Sequence, residues 1–526
     1  MPPPSEAPPE RAPTPARAAN TDNASPPQAA PADGPNPAET RADSGGRWGV
    51  LSHKHYRNVL GAQVFSNIGT WTEMFAIQMF VARATGKLDD QGTLGACQLL
   101  PIFVLGVFGG LASDRMNRRT LLVATQVLLG LVAIGVALVI QANFANPRTA
   151  IHWLFFFGVL NGCVMAFNFP AWQVLTPRLV PREDLNKAIT LNGIQFNTAR
   201  VIGPAIAGLV LAKWGAPPLL WFNAATFILM AGVVMMTPDD PAPRQYLGRM
   251  MSGIREAWSF LMHQRGPRAV FMAQFALCLL AAPMVRMLSN FVIAVYGLEE
   301  HQIAAARASV KGTVSEETAR FLAAEAVGGT LLAIQGVGAV VGGLAIRYVP
   351  KWYPKHHFIP LSVAGLGLSI TAFALAREVW VGYLAMAVCG WFWMWAFNQS
   401  WAALQVLTPD RLRGWVMSVA NVAVFGAMAA GAIIAGFGGE QLKVHKILDE
   451  VWATQASILM LSVPLALVGV WMMLYRVPEV DGLPPGGDRK VARSLVHAIT
   501  ASEHRPERDE RDGRAGIGPV QEPEPM

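Results

Sequence analysis

Charge is scarce in this chain. Only 15% of its 526 residues are Asp, Glu, Lys or Arg and 52% are apolar, against about 25% charged in soluble proteins, and the mean hydropathy is +0.34. A soluble enzyme is excluded on that ground. Cysteine is rarer still: Cys97, Cys163, Cys278 and Cys389 all fall in apolar stretches, with no Cys-x-x-Cys pair. Neither a disulfide framework nor a zinc ribbon is implied, and packing is the reading these residues favour. The ten histidines lie in loops, tails or the ends of apolar stretches, which leaves no mid-membrane donor set for a metal or haem. No Gly-x-x-x-x-Gly-Lys-Ser/Thr loop is present, so an ATP-driven pump working on its own is not expected, and no cofactor is expected. Alternation at period two is also missing, which excludes a membrane β-barrel.

What the chain does have is long runs without charge. Nine stretches carry no Asp, Glu, Lys or Arg: 91–113, 120–147, 149–177, 214–238, 326–346, 356–376, 379–409, 414–439 and 451–475. Each reaches the ~20 residues a helix needs to cross the hydrocarbon layer. Three more qualify with one charge each: 58–82 with Glu73, 188–212 with Arg200 and 269–298 with Arg286. Without water to satisfy the backbone, such spans must be helical. The expected fold is an all-α polytopic membrane protein with twelve transmembrane helices in two pseudo-symmetric six-helix bundles.

Orientation follows from Lys and Arg. With the amino terminus inside, the inward connections carry sixteen of them and the outward connections ten, three of those ten in the long 299–325 connection. The bias places both termini in the cytoplasm of a bacterial-type inner membrane. It also accounts for the formal charge of +7 without a nucleic-acid partner. The first residues lack an early apolar core, so no secretory signal is expected. Residues 1–47, rich in Pro and Ala, and 479–526, rich in Arg, Glu, Pro and Gly, bury too little apolar surface to order themselves and are expected to be disordered cytoplasmic tails. Between them come a first bundle at 48–238, a cytoplasmic linker at 239–268 and a second bundle at 269–478. In the linker, Met250, Ile254, Trp258 and Leu261 fall on one helical stripe, which predicts an interfacial amphipathic helix. The 299–325 connection is expected to form a short external helix.

The chain repeats itself. Phe-Asn followed by Gln-Val-Leu-Thr-Pro occurs in 167–177 and again in 397–409. Gly109-Gly110-Leu111-Ala112 recurs as Gly342-Gly343-Leu344-Ala345, and Gly203-Pro204-Ala205-Ile206-Ala207-Gly208 as Gly431-Ala432-Ile433-Ile434-Ala435-Gly436. Offsets of 232, 233 and 228 residues indicate two halves of parallel topology, with a substrate site at their interface near the midplane.

Several segments carry a resemblance. Gly109 to Arg119, reading Gly-Gly-Leu-Ala-Ser-Asp-Arg-Met-Asn-Arg-Arg, resembles the cytoplasmic loop motif of the major facilitator superfamily. Asn197 to Pro204, reading Asn-Thr-Ala-Arg-Val-Ile-Gly-Pro, resembles its antiporter motif. His55-Tyr56-Arg57-Asn58, the run Ser66 to Trp71, and the link Leu179 to Leu185 resemble the branch containing enterobactin exporters and macrolide efflux proteins. The similarity covers roughly residues 53–478 and implies secondary active efflux driven by an ion gradient, with protons as the usual coupling ion. In the second half, Arg347 stands where an acidic loop residue is expected.

Each motif also has a reading from its own chemistry. Asp114, beside Gly110, Arg115, Arg118 and Arg119, is placed either to make charge pairs that break when the halves rock or to sit in a solvated loop that sets topology. Gly203, Pro204 and Gly208 form a small-residue stripe suited to close helix contact and a bend, with or without a role in coupling.

The three intramembrane charges are the sharpest features, because a charge at mid-helix costs ~2.5–3.5 kcal/mol on insertion scales. Glu73 is sixteenth in a window of 25, Arg200 thirteenth of 25 and Arg286 eighteenth of 30, so they share a depth to within roughly 5 Å. Ser66, Thr70 and Glu73 fall on one face of the first span, with Asn67 and Gln78 at its edge. On the seventh span Arg286, Ser289 and Asn290 share a face. Glu73 is read as the protonatable or cation-binding group, with Arg286 or Arg200 as countercharge, since a carboxylate out of water exchanges its proton according to whether an arginine stands beside it. The alternative is a static ion pair that locks helices together. Trp391 and Trp395 share a face of the tenth span, to stack on a planar ligand or to pack helices.

These features lead to a monomeric exporter of small amphiphiles, siderophore-like or drug-like, surrounded by membrane lipid and exchanging its cargo for protons. A lysophospholipid flippase and a non-transporting sensor or assembly partner are the alternatives. A sensor should tolerate loss of Glu73 and depend on its tails, whereas an exporter should survive deletion of residues 1–46.

Overall fold

The computed structural model describes residues 49–142, 147–238, 247–296, 303–304, 316–349, 353–475, 477 and 480. All the helices named below belong to one compact unit that begins at Val50. The first tail expected to be disordered, the second apart from the buried Val480, and most of the 299–325 connection lie outside the described residues.

Fourteen α-helices at least eight residues long occur among the described residues, and no strand. The first group comprises α1 (Lys54–Thr85), α2 (Leu88–Arg115), α3 (Arg118–Ala142), α4 (Pro147–Leu179), α5 (Leu185–Trp214) and α6 (Pro217–Met235). A connecting helix, α7 (Leu247–His263), follows. The second group is α8 (Arg265–Leu280), α9 (Pro283–Val295), α10 (Glu316–Ala345), α11 (Lys355–Leu375), α12 (Val379–Leu407), α13 (Asp410–Val444) and α14 (Glu450–Tyr475).

Eleven helical stretches are long and apolar enough to cross a membrane, one fewer than the twelve spans expected. The shortfall is α1. At 32 residues it has the length, but Ser66, Asn67, Thr70, Thr72, Glu73 and Gln78 dilute its apolar content. Most of those polar groups turn into the protein, where Thr72 and Gln78 are almost fully buried. The seventh crossing is two helices in line, α8 and α9, counted as one stretch Arg265–Val295. Pro283 is the cause, since it opens α9 and has no N–H to continue the ladder of α8.

The repeat in the sequence is a repeat in packing. Within the first group, neighbours follow the order α5, α1, α6, α3, α4, α2. The second group follows the same order with each helix replaced by its counterpart: α13, the α8–α9 pair, α14, α11, α12, α10. Two seams join the groups, α2 against α13 and α5 against α10, and they are equivalents of each other under the repeat. Each repeated glycine motif has matching work in the two places. Gly208 lies on α5 where a Cβ would stand 3.3 Å from the Cα of Gly329 on α10, and Gly436 lies on α13 where a Cβ would stand 2.9 Å from the Cα of Gly92 on α2. Small residues let these backbones touch, which is how helices gain van der Waals contact when lipid supplies no hydrophobic drive.

The connecting helix α7 packs on α13 through Gly253, where a Cβ would overlap the Trp415 ring, and through the buried Ala257 and Leu261. Leu261 belongs to the buried line, but Trp258 is 49% exposed and meets Phe271 edge-on at 6.3 Å. The Met250 side chain lies outside the described part. Arg411 on α13 holds Glu256 on α7 at 2.6 Å.

Candidate functional site

The start of α1 is anchored to the start of α5. Tyr56 donates to the Ala188 carbonyl at 3.0 Å and to Asn192 Oδ1 at 3.2 Å, and His53 Nε2 meets Asp184 Oδ2 at 3.0 Å. Val50, Tyr56, Val180, Ala188 and Leu191 form a small apolar cluster beneath these bonds. The two segments resembling the exporter branch, around Tyr56 and around 179–185, are thus one contact.

About three turns further on, α1 presents Gly69 and Glu73 to α6. Ser66 is buried, and its carbonyl accepts from Thr70 at 2.9 Å, while Thr70 itself is exposed. Gly69 leaves room for α6: a Cβ there would stand 2.9 Å from Thr226 Oγ1 and 3.1 Å from the Asn223 Cα. Into that close approach Asn223 donates a hydrogen bond from Nδ2 to Glu73 Oε2. Asn67, on the flank, donates to Gln195 Oε1 on α5 at 3.1 Å.

Glu73 forms no ion pair with Arg286 or Arg200 among the described residues. The reason is rotational. The arginines lie against Trp71 and Gln78, which stand about 200° and 140° round the helix from Glu73 at 3.6 residues per turn. Glu73 instead faces a narrow crevice walled by Leu94 and Gln98 of α2, Val132 and Val136 of α3, and Leu154, Phe157, Gly158 and Asn161 of α4.

Each arginine reaches a glutamine in the other group. Arg286 on α9 donates from Nη1 to Gln98 Oε1 on α2 at 2.6 Å. With its amide oriented to satisfy both neighbours, Gln78 on α1 accepts from the same Nη1 at 3.2 Å and donates to the Val285 carbonyl at 3.2 Å. Arg200 on α5 donates from Nη2 to Gln335 Oε1 on α10 at 3.0 Å, and Gln335 donates on to Cys389 Sγ at 3.5 Å. The Arg200 guanidinium also lies over two indoles, Trp71 of α1 at 5.7 Å and Trp393 of α12 at 5.5 Å. Ser289 and Asn290 are buried beyond Arg286, and Ser289 Oγ and Asn290 Oδ1 make no hydrogen bond.

The tenth-span aromatics divide into two faces. Trp391 and Trp395 pack inside the second group: Trp395 Nε1 donates to the Gly342 carbonyl at 2.7 Å, and its ring lies 4.9 Å from Phe358 and 5.3 Å from Trp391. The face that meets Arg200 is the other one, where Trp393 stacks on Phe397 at 5.9 Å and Phe397 meets Trp401 edge-on at 6.3 Å. Gln98 and Asn223 escaped the reading of the sequence, whereas Trp393 is one of the aromatics that crowd the tenth span, Gln335 one of the polar groups within spans expected to line the cavity, and Trp71 closes the Ser66–Trp71 motif. The spacing 393, 397, 401 is the available signal, a helical stripe two positions away from the pair 391 and 395.

At the end of α2, Arg118 is buried and its Nε donates to the Ser113 carbonyl at 3.2 Å. Arg115 is exposed and Arg119 half-buried. A Cβ on Gly110 would meet nothing within 4 Å, and the Asp114 side chain lies outside the described part. In the antiporter-like stretch, Gly203 faces α1, where a Cβ would stand 2.6 Å from Trp71 Cβ, and the Pro204 carbonyl faces Gly329 on α10. The four cysteines are free, and no group of His, Cys, Asp and Glu able to hold a metal ion occurs among the described residues.

Comparison with known proteins agrees with this architecture. The sequence profile of the transmembrane secretion effector family matches residues 45–296 and 319–496. The enterobactin exporter EntS of Escherichia coli O1:K1 is 25% identical over 432 residues, 81% of this chain and 94% of the exporter. The uncharacterized major-facilitator-type transporter YfiS of Bacillus subtilis strain 168 is 25% identical over 191 residues, 36% of this chain, which spans 43% of that relative. Among solved structures, a bacterial homologue of the human lysosomal transporter Spinster, inward-facing and unoccupied, superposes with a TM-score of 0.58 at 12% identity, over 80% of this chain and 96% of its own. A D-xylose–proton symporter gives 0.58 at 13% identity, over 82% and 99%. With the profile covering both helical groups, the chain belongs to the transmembrane secretion effector family of the major facilitator superfamily, and is a multi-pass secondary transporter rather than an enzyme.

Proposed function

We propose that this transporter exports small amphiphilic molecules, siderophore-like or drug-like, in exchange for protons by alternating access. The observation that carries the coupling is Glu73, a buried carboxylate with a single amide partner, Asn223, at the wall of a crevice it shares with Gln98. A carboxylate in low dielectric without a cation is held in place by its protonation state, so a change of access that wets the crevice changes its charge. Export is the direction named for the relative that this chain matches over most of its length. The bundles at 48–238 and 269–478 are the proposed rocking units, with 239–268 as the linker, both termini in the cytoplasm of a bacterial-type inner membrane, and the monomer as the working form.

Cellular accumulation of a panel tests the reading: macrolides, cationic dyes, a catecholate siderophore and a labelled lysolipid, with wild type beside Glu73→Gln, before and after collapse of the proton gradient. Wild type should lower accumulation of at least one compound, and both the substitution and the collapse should abolish the effect. Normal transport by Glu73→Gln across a range of pH would remove Glu73 from coupling.

A further inference from the structure

Arg200 and Arg286 are cations at mid-helix without anions. Neither makes an ion pair among the described residues. The carboxylates within neighbouring helices face other groups: Glu73 bonds Asn223 on α6, and Glu325 lies on α10 near Arg83 at the far end of α1. Snorkelling does not relieve the arginines either, since Arg286 bonds Gln98 in the middle of α2 and Arg200 bonds Gln335 in the middle of α10. A buried charge is tolerated when it is paired or fully hydrogen-bonded, and here only neutral groups serve: glutamine oxygens and, for Arg200, two indole faces.

The glutamines come from the opposite helical group in both cases, so the two bridges cross the boundary in opposite senses. An amide oxygen is a weak stand-in for a carboxylate, because charge-assisted hydrogen bonds are roughly twice as strong as neutral ones. Two unneutralised guanidinium groups in a low-dielectric interior also leave a positive potential there, which favours anions and disfavours cations.

We infer that Arg286 and Arg200 form the anion-binding part of the substrate site, and that the cargo is an organic anion with a flat apolar body. The acidic group replaces Gln98 or Gln335 as the guanidinium's partner. The apolar body lies along Trp71 and Trp393, whose rings already flank Arg200, and along Phe397, which is stacked on Trp393. This rests on the export reading for its context, and the two can fail separately.

The probe is a set of three dansyl amphiphiles with one undecyl chain and different heads: a carboxylate, its primary amide and the matching ammonium. Binding of each to the full chain in phosphatidylcholine nanodiscs is read from dansyl emission, with dark competitor subtracting what partitions into lipid. Wild type should bind the carboxylate at least about tenfold more tightly than the amide, and the ammonium most weakly, the scale of one charge-assisted hydrogen bond. Arg286→Gln and Arg200→Gln should each erase most of that preference, with carboxylate binding falling several-fold more than amide binding. Arg286→Lys and Arg200→Lys keep the charge without the fork and should retain part of it, which also covers a glutamine variant that fails to fold. Equal binding of carboxylate and amide by wild type overturns the site, as does loss of all three ligands together in the arginine variants. Transport of the same probes by everted vesicles separates the two readings. Carboxylate-selective binding without transport sinks export and leaves the anion site; transport of the ammonium in preference to the carboxylate leaves export and sinks the anion site.

Discussion

Asp184 stands in the connection between α4 and α5, where His53 Nε2 lies 3.0 Å from one carboxylate oxygen and Lys187 Nζ 3.0 Å from the other. Those two bonds, His53 first, hold its carboxyl below the ordinary value of 3.8. A depressed carboxylate contributes stability that is complete above the unfolded value and is lost as pH falls through the folded one. The anchor between the starts of α1 and α5 is therefore intact at neutral pH and fails only below pH 3.8. Asp184→Asn should raise amide hydrogen exchange at Arg57 and its neighbours at pH 7, and the difference from wild type should vanish under strong acid. Because the Asp184 side chain is 21% exposed, water screens the pair and the change should be local, without loss of the fold. Unchanged exchange at pH 7 would assign the anchoring to Tyr56 and the apolar cluster alone.

Close backbone contact makes the seams sensitive to a single side chain. On α10, a Cβ at Gly329 would stand 2.6 Å from the Pro204 carbonyl oxygen and 3.0 Å from the Gly208 Cα, backbone atoms that have no rotamer to give way. Gly329→Leu should cost on the order of 1–3 kcal/mol, the usual range for overpacking, and lower the melting temperature in detergent. Gly193→Leu on α5, where a Cβ meets nothing within 4 Å, should leave it unchanged, and equal effects of the two would mean the seam is not tight. These helices were legible in the sequence because hydrocarbon imposes one rule on every residue that crosses it, and the repeated glycines gave the parallel halves. The exceptions are just as local. Pro283 divides the seventh crossing, and the polar groups of α1 hide a helix whose length is right. Partners were the part that could not be read. Glu73 meets Asn223 from 150 positions away, and Arg286 and Arg200 settle on glutamines, which carry no charge to announce them. Two residues of difference along α1, Trp71 against Glu73, decide which side of the helix a group faces, and composition says nothing about what stands there.

At the scale of the whole helical unit the seam of α2 against α13 is closed at one end by polar contacts. The closed end is the one with the α1–α2 turn. There Glu440 of α13 accepts from the Leu88 N–H at 3.0 Å, capping the start of α2, where the helix dipole favours a carboxylate. Lys443 donates to the Gly86 carbonyl at 3.2 Å and meets Glu450 at 2.8 Å, and Gly92 and Gly436 touch just below. In the proposed orientation the closed end faces outward, and under the proposed export cycle release requires the Leu88–Glu440 contact to part. Leu88→Cys and Glu440→Cys, joined by a short cleavable bis-maleimide, should hold that end shut. Transport should stop on cross-linking and return to the uncross-linked rate on reduction, while each single variant ignores the reagent. Because Glu440→Cys also removes the cap, the comparison is made within the same double variant before and after cleavage. Transport that continues at full rate across the cross-link would mean that this seam never opens, and that cargo leaves by a route other than between the two helical groups.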